Sequence, residues 1–91
     1  KESRIYGTIV EFHTSFNGYS GIISDDFKQA PFYFDRDYID STEQEGLVPI
    51  LLQDSLKNGT SVEMDVEFDE DSKVLTVNRM KHSMNNQDYE V

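Results

Sequence analysis

The chain has 91 residues, enough for one domain but too few for two that each bury a core of their own. Its 36% hydrophobic content, with six Phe and five Tyr, predicts a folded module and excludes a disordered tail. Cysteine is absent, which excludes disulfides, thiolate nucleophiles and cysteine-bound zinc. With 8 Lys and Arg against 18 Asp and Glu, the net charge of −10 disfavours polyanions and indicates either solubility alone or a basic partner.

The ends of the chain predict its organisation. No segment reaches the roughly 18 apolar residues of a membrane-spanning helix, and the start at Lys1 lacks the apolar core of a signal peptide. We therefore expect an intracellular protein, cytoplasmic or nuclear, without a membrane partner. We also expect residues 1–81 to form the domain and residues 82–91 a polar tail or linker within a longer protein.

Hydrophobic periodicity predicts three strands in the first part of the chain. The first covers residues 4–12, which are rich in β-branched and aromatic side chains, and it leads into a turn at Asn17-Gly18. The second covers residues 21–23, and the third covers residues 32–34, where Phe32 and Phe34 share one face.

Two further strands follow, over residues 61–68 and 73–80. In the fourth strand, Val62, Met64, Val66 and Phe68 alternate with Glu63, Asp65 and Glu67, which predicts one buried face and one wet, acidic face. In the fifth, Leu75 and Val77 are the expected core pair.

The spacing of these elements predicts an all-β, five-stranded antiparallel barrel, because closure removes exposed sheet edges. An SH3-like barrel is the structural alternative. The long connection between strands three and four, residues 40–57, is expected to hold a short helix around residues 51–56.

The order of several motifs resembles the cold-shock domain, an OB-fold family. The resemblance covers about residues 5–80 and rests on glycines and apolar positions in sequence: Gly7-Thr8-Ile9, Phe12, Gly21-Ile22-Ile23, Phe32-Tyr33-Phe34, Ile39, residues 56–62, Met64 and Val66. It implies a cold-shock-like OB barrel and association with RNA.

The resemblance also implies where bases would stack, because the family carries aromatic and basic side chains on its first three strands. Carried over by position, its strand-one Lys and Trp fall on Val10 and Glu11, and its strand-two aromatics fall on Ser20 and Ile22. Its third-strand Phe falls on Tyr33 and the following His on Asp35. A weak single-stranded RNA or DNA site would therefore depend on the remaining candidates, which are Phe12, Tyr19, Tyr33 and Arg36.

Catalytic chemistry is not predicted. The two histidines, His13 and His82, have no recognisable nucleophile or carboxylate at triad spacing and no spacing suited to zinc. We expect no enzyme activity, no metal and no cofactor.

The apolar segment from Leu47 to Leu52 lies inside the polar connection and has two interpretations. It either plugs one end of the barrel or presents Leu47, Val48, Ile50, Leu51 and Leu52 to a protein partner or neighbouring domain. The predicted function is a non-enzymatic protein-interaction or architectural module of a larger RNA-associated protein, with weak single-stranded nucleic-acid binding as the alternative.

Overall fold

The computed structural model describes residues 2–36 and 47–82. Within these residues lie five strands, β1 (Glu2–Ser15), β2 (Gly18–Ser24), β3 (Gln29–Asp35), β4 (Val62–Asp69) and β5 (Val74–His82), and the helix α1 (Val48–Asn58) precedes β4. Of the predicted tail, residues 82–91, the first residue ends β5, while residues 83–91 lie outside the described residues, as does Ile39.

The strands form a closed barrel in the order β1-β2-β3-β5-β4, with β4 returning to β1. This order, together with a helix between β3 and β4, is the OB-fold arrangement and confirms the predicted five-stranded barrel. One pair, β3 with β5, is parallel, so the barrel is mixed and not wholly antiparallel. The reason is topological: an odd number of strands cannot alternate in direction all the way around a closed barrel.

β1 belongs to both halves of the barrel because it bends in the middle. Its first part, up to Gly7, pairs with β4, and its second part, from Thr8, pairs with β2. The register shifts between Ile9 and Glu11, which places a bulge at Val10. Gly21 faces this second part, where an added Cβ would lie 2.1 Å from the carbonyl oxygen of Glu11, so a side chain there would separate the strands.

The turn between β1 and β2 is tighter than the sequence indicates. Ser15 pairs with Gly18, so the two central residues are Phe16 and Asn17, not Asn17 and Gly18. β1 and β2 therefore continue to Ser15 and from Gly18, beyond the predicted ends of the two strands at residues 12 and 21.

The core follows the predicted alternation with two exceptions on β4. Phe68 is 50% exposed because it lies near the end of its strand, whereas Glu63 is buried although it points to the outer face. The buried hydrophobic core comes from all five strands and the helix. It consists of Ile9, Tyr19, Ile23, Phe32, Phe34, Val48, Leu51, Leu52, Val62, Met64, Val66, Val77 and Met80.

The helix closes one end of the barrel and is longer than predicted. Its inward face carries Val48, Leu51, Leu52 and Ser55, at the spacing expected for one side of a helix. It ends at Gly59, whose φ of 70° is the left-handed conformation that glycine adopts without strain and whose amide donates to the carbonyl of Ser55 at 2.8 Å.

Ser55 joins the helix to the barrel through a fully buried hydroxyl. Its Oγ accepts a 2.8 Å hydrogen bond from the amide of Ile9 and donates a 2.7 Å bond to the carbonyl of Thr60. Since β1 has already left β4 at Gly7, the amide of Ile9 has no strand partner on that side. The hydroxyl thus satisfies a buried donor at the bend of β1.

We predict that Ser55→Ala lowers the free energy of unfolding by about 1–3 kcal/mol, because it leaves the Ile9 amide buried without a partner. Urea unfolding measures this change. Gln53→Ala, on the exposed face of the same helix, is the control and should shift stability by less than about 0.5 kcal/mol. Equal unfolding midpoints for wild type and Ser55→Ala would contradict the role of this hydroxyl.

Candidate functional site

An open groove runs across the outer face of four strands. We call it the outer groove, and its volume is about 500 Å³. Strand register builds it in two rows: His13, Ser20, Tyr33 and Thr76 lie side by side, as do Glu11, Ile22 and Pro31. Its lining residues are Glu11, His13, Ser20, Gly21, Ile22, Pro31, Phe32, Tyr33, Asp69, Ser72, Val74 and Thr76.

The floor of the outer groove is largely apolar and well positioned. Ile22 and Pro31 are cross-strand neighbours on β2 and β3. Tyr33 is half-buried beside them, and its hydroxyl donates a 2.5 Å hydrogen bond to the carbonyl of Asn17 in the β1–β2 turn. The tyrosine ring is therefore held in place before any ligand binds.

The charged groups of the outer groove are mainly acidic. Glu11 and His13 are exposed on one side and lie 2.8 Å apart, Oε2 to Nε2. On the other side, the backbone amide of Asp71 and the hydroxyl and amide of Ser72 hold the pKa of Asp69 below its usual range. Among the described residues that line the groove, none is Lys or Arg.

The structure places four of the positions implied by the cold-shock resemblance on this groove. Glu11, Ser20, Ile22 and Tyr33 all line it, so these four positions share one face of the barrel. Asp69 and Thr76 were missed, because they belong to strands that become neighbours of this face only when β5 pairs with β3.

The four candidate nucleic-acid residues do not share the groove. Tyr33 lies in it, but Tyr19 is buried in the core and Phe12 packs against the core from a half-buried position. The guanidinium of Arg36 lies 5.7 Å from the centre of the Tyr19 ring, and its Nη2 donates to the carbonyl of Ser15 at 3.2 Å. The ring of Tyr33 is thus the aromatic surface of this set that the groove presents.

The apolar segment at the start of α1 is divided between buried and exposed side chains. Val48, Leu51 and Leu52 are buried and plug the barrel, whereas Leu47 and Ile50 are 52% and 59% exposed. The partner-binding set is therefore divided by helix geometry, and Leu47 and Ile50 are the members that a partner can reach.

The acidic face of β4 is largely neutralised, in contrast to the groove. Arg4 bonds Asp65, Nε to Oδ1, at 2.8 Å and lies 3.2 Å from Glu63, while Lys81 lies 3.4 Å from Glu63. The hydrogen bond to Asp65 and the two carboxylates raise the pKa of Arg4. This face is consequently less repulsive to a polyanion than its sequence indicates.

Residues 2–36 and 47–82 lack the features of a metal site and of a membrane span. In this part of the chain, no group of three His, Cys, Asp or Glu side chains is placed to hold a metal ion. No helix there has the length and apolarity needed to cross a membrane.

Comparisons with known proteins support the fold. No protein-family model matches the chain, and a sequence search of curated proteins finds no match. The fold is similar to two crystal structures of asparaginyl-tRNA synthetase from Pyrococcus horikoshii, one of them complexed with asparaginyl-adenylate. Each has a TM-score of 0.61 and 16% sequence identity over 91% of this chain.

This chain spans 19% and 20% of the length of those two synthetase chains. At this identity the likeness concerns the fold alone. Fold and groove together define a small OB-type barrel with an open groove on its outer face.

We predict that Leu52→Ala lowers the free energy of unfolding by about 2–5 kcal/mol, because it removes a fully buried side chain from the plug. Ile50→Ala, on the outer side of the same helix, should cost less than about 1 kcal/mol. Chemical denaturation of both variants checks the division of the segment. A large loss for Ile50→Ala would show that this side chain also belongs to the plug.

Acid should weaken the β4–β5 turn through Asp69. Because the folded pKa of Asp69 is lowered, its stabilising hydrogen bonds are fully present above its ordinary pKa of 3.8 and are lost as the pH falls below that value. Wild type should therefore melt at a higher temperature than Asp69→Asn at neutral pH, and the difference should shrink as the pH falls below 3.8 and through the lowered pKa of the folded state. Asp26→Asn, on an exposed loop, controls for loss of one charge; a gap independent of pH would contradict the prediction.

Proposed function

We propose that this chain is a non-enzymatic, cold-shock-like OB module of a larger RNA-associated protein, and that it binds a protein partner through the outer groove. The observation that carries the proposal is the groove itself, whose apolar floor is flanked by the carboxylates of Glu11 and Asp69. A basic, extended segment of a partner protein fits this combination of shape and charge.

Charge argues against single-stranded nucleic acid as the main ligand. Nucleic-acid affinity depends on Lys and Arg that neutralise phosphates, and the groove lining described above contains neither. At the position where the cold-shock resemblance implies a stacking Trp, Glu11 places a carboxylate instead. A phosphate backbone in the groove would lie between two acidic walls.

The same features favour a peptide with alternating basic and apolar side chains. Apolar side chains can pack on Ile22 and Pro31, while Lys or Arg reach the carboxylates of Glu11 and Asp69. The Tyr33 ring offers a further contact to a cation through its face. Leu47 and Ile50, on the exposed side of α1, supply a second proposed contact for a partner or a neighbouring domain.

Two considerations support the remaining parts of the proposal. The similar structures belong to an enzyme whose name includes tRNA, which is compatible with an RNA-associated parent protein. His13 pairs with Glu11 and lies opposite Ser20, but among the described residues no hydrogen bond connects Ser20 to His13. A serine without a base is not an activated nucleophile, which favours a binding role.

Glu11→Lys separates the two classes of ligand. We expect fluorescence anisotropy to show that a labelled peptide of alternating Lys and Val binds wild type, and that Glu11→Lys weakens this binding about tenfold. The same variant should gain affinity for mixed-sequence single-stranded RNA. Asp26→Lys changes the net charge equally on the β2–β3 loop and should leave peptide binding nearly unchanged.

The proposal fails if the peptide does not bind or if Asp26→Lys weakens it as much as Glu11→Lys. The alternative function, weak single-stranded RNA binding, is favoured by the accessible Tyr33 ring. It requires saturable RNA binding by wild type at physiological salt that Tyr33→Ala removes, since stacking on one aromatic contributes about 1–3 kcal/mol. Tyr33→Phe, which keeps the ring, would then retain binding.

A further inference from the structure

An apolar cavity of about 180 Å³ lies where β2 ends and where β3 and β5 begin, and none of its described lining residues comes from α1. We call it the end cavity. Ile5, Ile23, Ala30 and Leu75 form its inner wall, where strands β1, β2, β3 and β5 begin or end. Its rim is formed by Tyr6, Asp25, Lys28, Phe68 and Lys73.

The loop beside this cavity presents one phenyl ring to solvent. Phe27 lies between β2 and β3 and is 94% exposed. The loop is a tight turn in which the amide of Asp25 donates to the carbonyl of Lys28 at 3.0 Å. The Asp25 carboxylate also accepts 2.7 Å and 2.8 Å hydrogen bonds from the amides of Phe27 and Lys28, so the backbone that carries the ring is fixed.

The ring contributes little to folding because it is almost fully exposed to solvent. Turn tips are normally occupied by small or polar residues, so a phenyl ring at this position is unusual. It adjoins an apolar surface in which Tyr6 and Phe68 are also 44% and 50% exposed. Such a cluster of exposed aromatic side chains around an apolar cavity is typical of an interaction surface.

We propose that the end cavity receives Phe27 of a second copy of this chain, so that two copies associate through their end cavities. The size is suitable, since an apolar cavity of about 150 Å³ accommodates benzene. Asp25 and Lys28 belong both to the loop that carries Phe27 and to the cavity rim. A two-fold axis beside this loop lets each copy insert one ring and accept one, which closes the dimer.

Charge favours this end over the rest of the surface. Two molecules of net charge −10 repel each other at long range. At the end cavity, however, Lys28 and Lys73 of one copy can face Asp25 and Asp26 of the other. Salt screens the long-range repulsion more than it weakens a buried apolar contact, so the dimer should strengthen from low to physiological salt.

Sedimentation velocity of the full chain from micromolar to millimolar concentration tests this association. We expect a reversible monomer–dimer equilibrium for wild type. Phe27→Ala should weaken it about a hundredfold, because each dimer loses two buried rings. Phe16→Ala is a matched control, since Phe16 is 91% exposed at the tip of the β1–β2 turn, away from the end cavity.

A second variant tests the receiving side. Ala30→Leu fills the cavity and should also prevent dimerisation, while its own Phe27 remains available. Mixed with Phe27→Ala, which keeps an open cavity, it should form a heterodimer that retains one of the two ring contacts. Thermal melts establish that each variant is folded, and the comparison of Phe27→Ala with Phe16→Ala decides the matter even if Ala30→Leu does not fold.

A wild-type chain that stays monomeric to millimolar concentration at both salt levels would overturn the proposal. So would a dimer that Phe27→Ala leaves intact, or one that Phe16→Ala weakens equally. The outer groove shares no lining residue with the end cavity, and the variants Phe27→Ala and Glu11→Lys therefore test the two proposals separately.

Discussion

The buried hydroxyl of Ser55 is the constraint on which the rest of the structure depends. β1 pairs with β4 up to Gly7 and with β2 from Thr8 onward, and this change of partner leaves the amide of Ile9 without a strand partner on the side of β4. The Oγ atom of Ser55 accepts a hydrogen bond from that amide and donates one to the carbonyl of Thr60, just before β4. One side chain thus couples the bend, the helix and the entry to the next strand.

Closure of the barrel also creates the outer groove. β5 must lie beside β3, and because the number of strands is odd this pair is parallel. The contact brings Thr76 next to Tyr33 and brings the β4–β5 turn, with Asp69, to the edge of the same surface. Residues distant in sequence therefore form a groove whose floor comes from β2 and β3 and whose acidic walls come from β1 and that turn.

The net charge of −10 is unevenly distributed over this surface. On β4 the carboxylates of Glu63 and Asp65 form ion pairs with Arg4 and Lys81, which neutralise most of their charge. In the outer groove Asp69 accepts turn hydrogen bonds that lower its pKa, and it lines the groove. The number of acidic residues in the sequence therefore does not show which face repels a polyanion. The net charge of each face depends on which basic side chains lie on the neighbouring strands.

The sequence by itself determined the strands, because the alternation of Val62, Met64 and Val66 with acidic residues needs only the period of two of a half-buried strand. The order of glycines and aromatics likewise placed Tyr33 on the outer face of the barrel. Only the tertiary structure decided that Tyr19 is core, that Glu63 is buried in an ion pair, and that Leu47 and Ile50 are exposed while Leu52 is buried. The physical reason is that periodicity records a local preference, whereas burial and charge pairing depend on which distant strand or helix closes against each side chain.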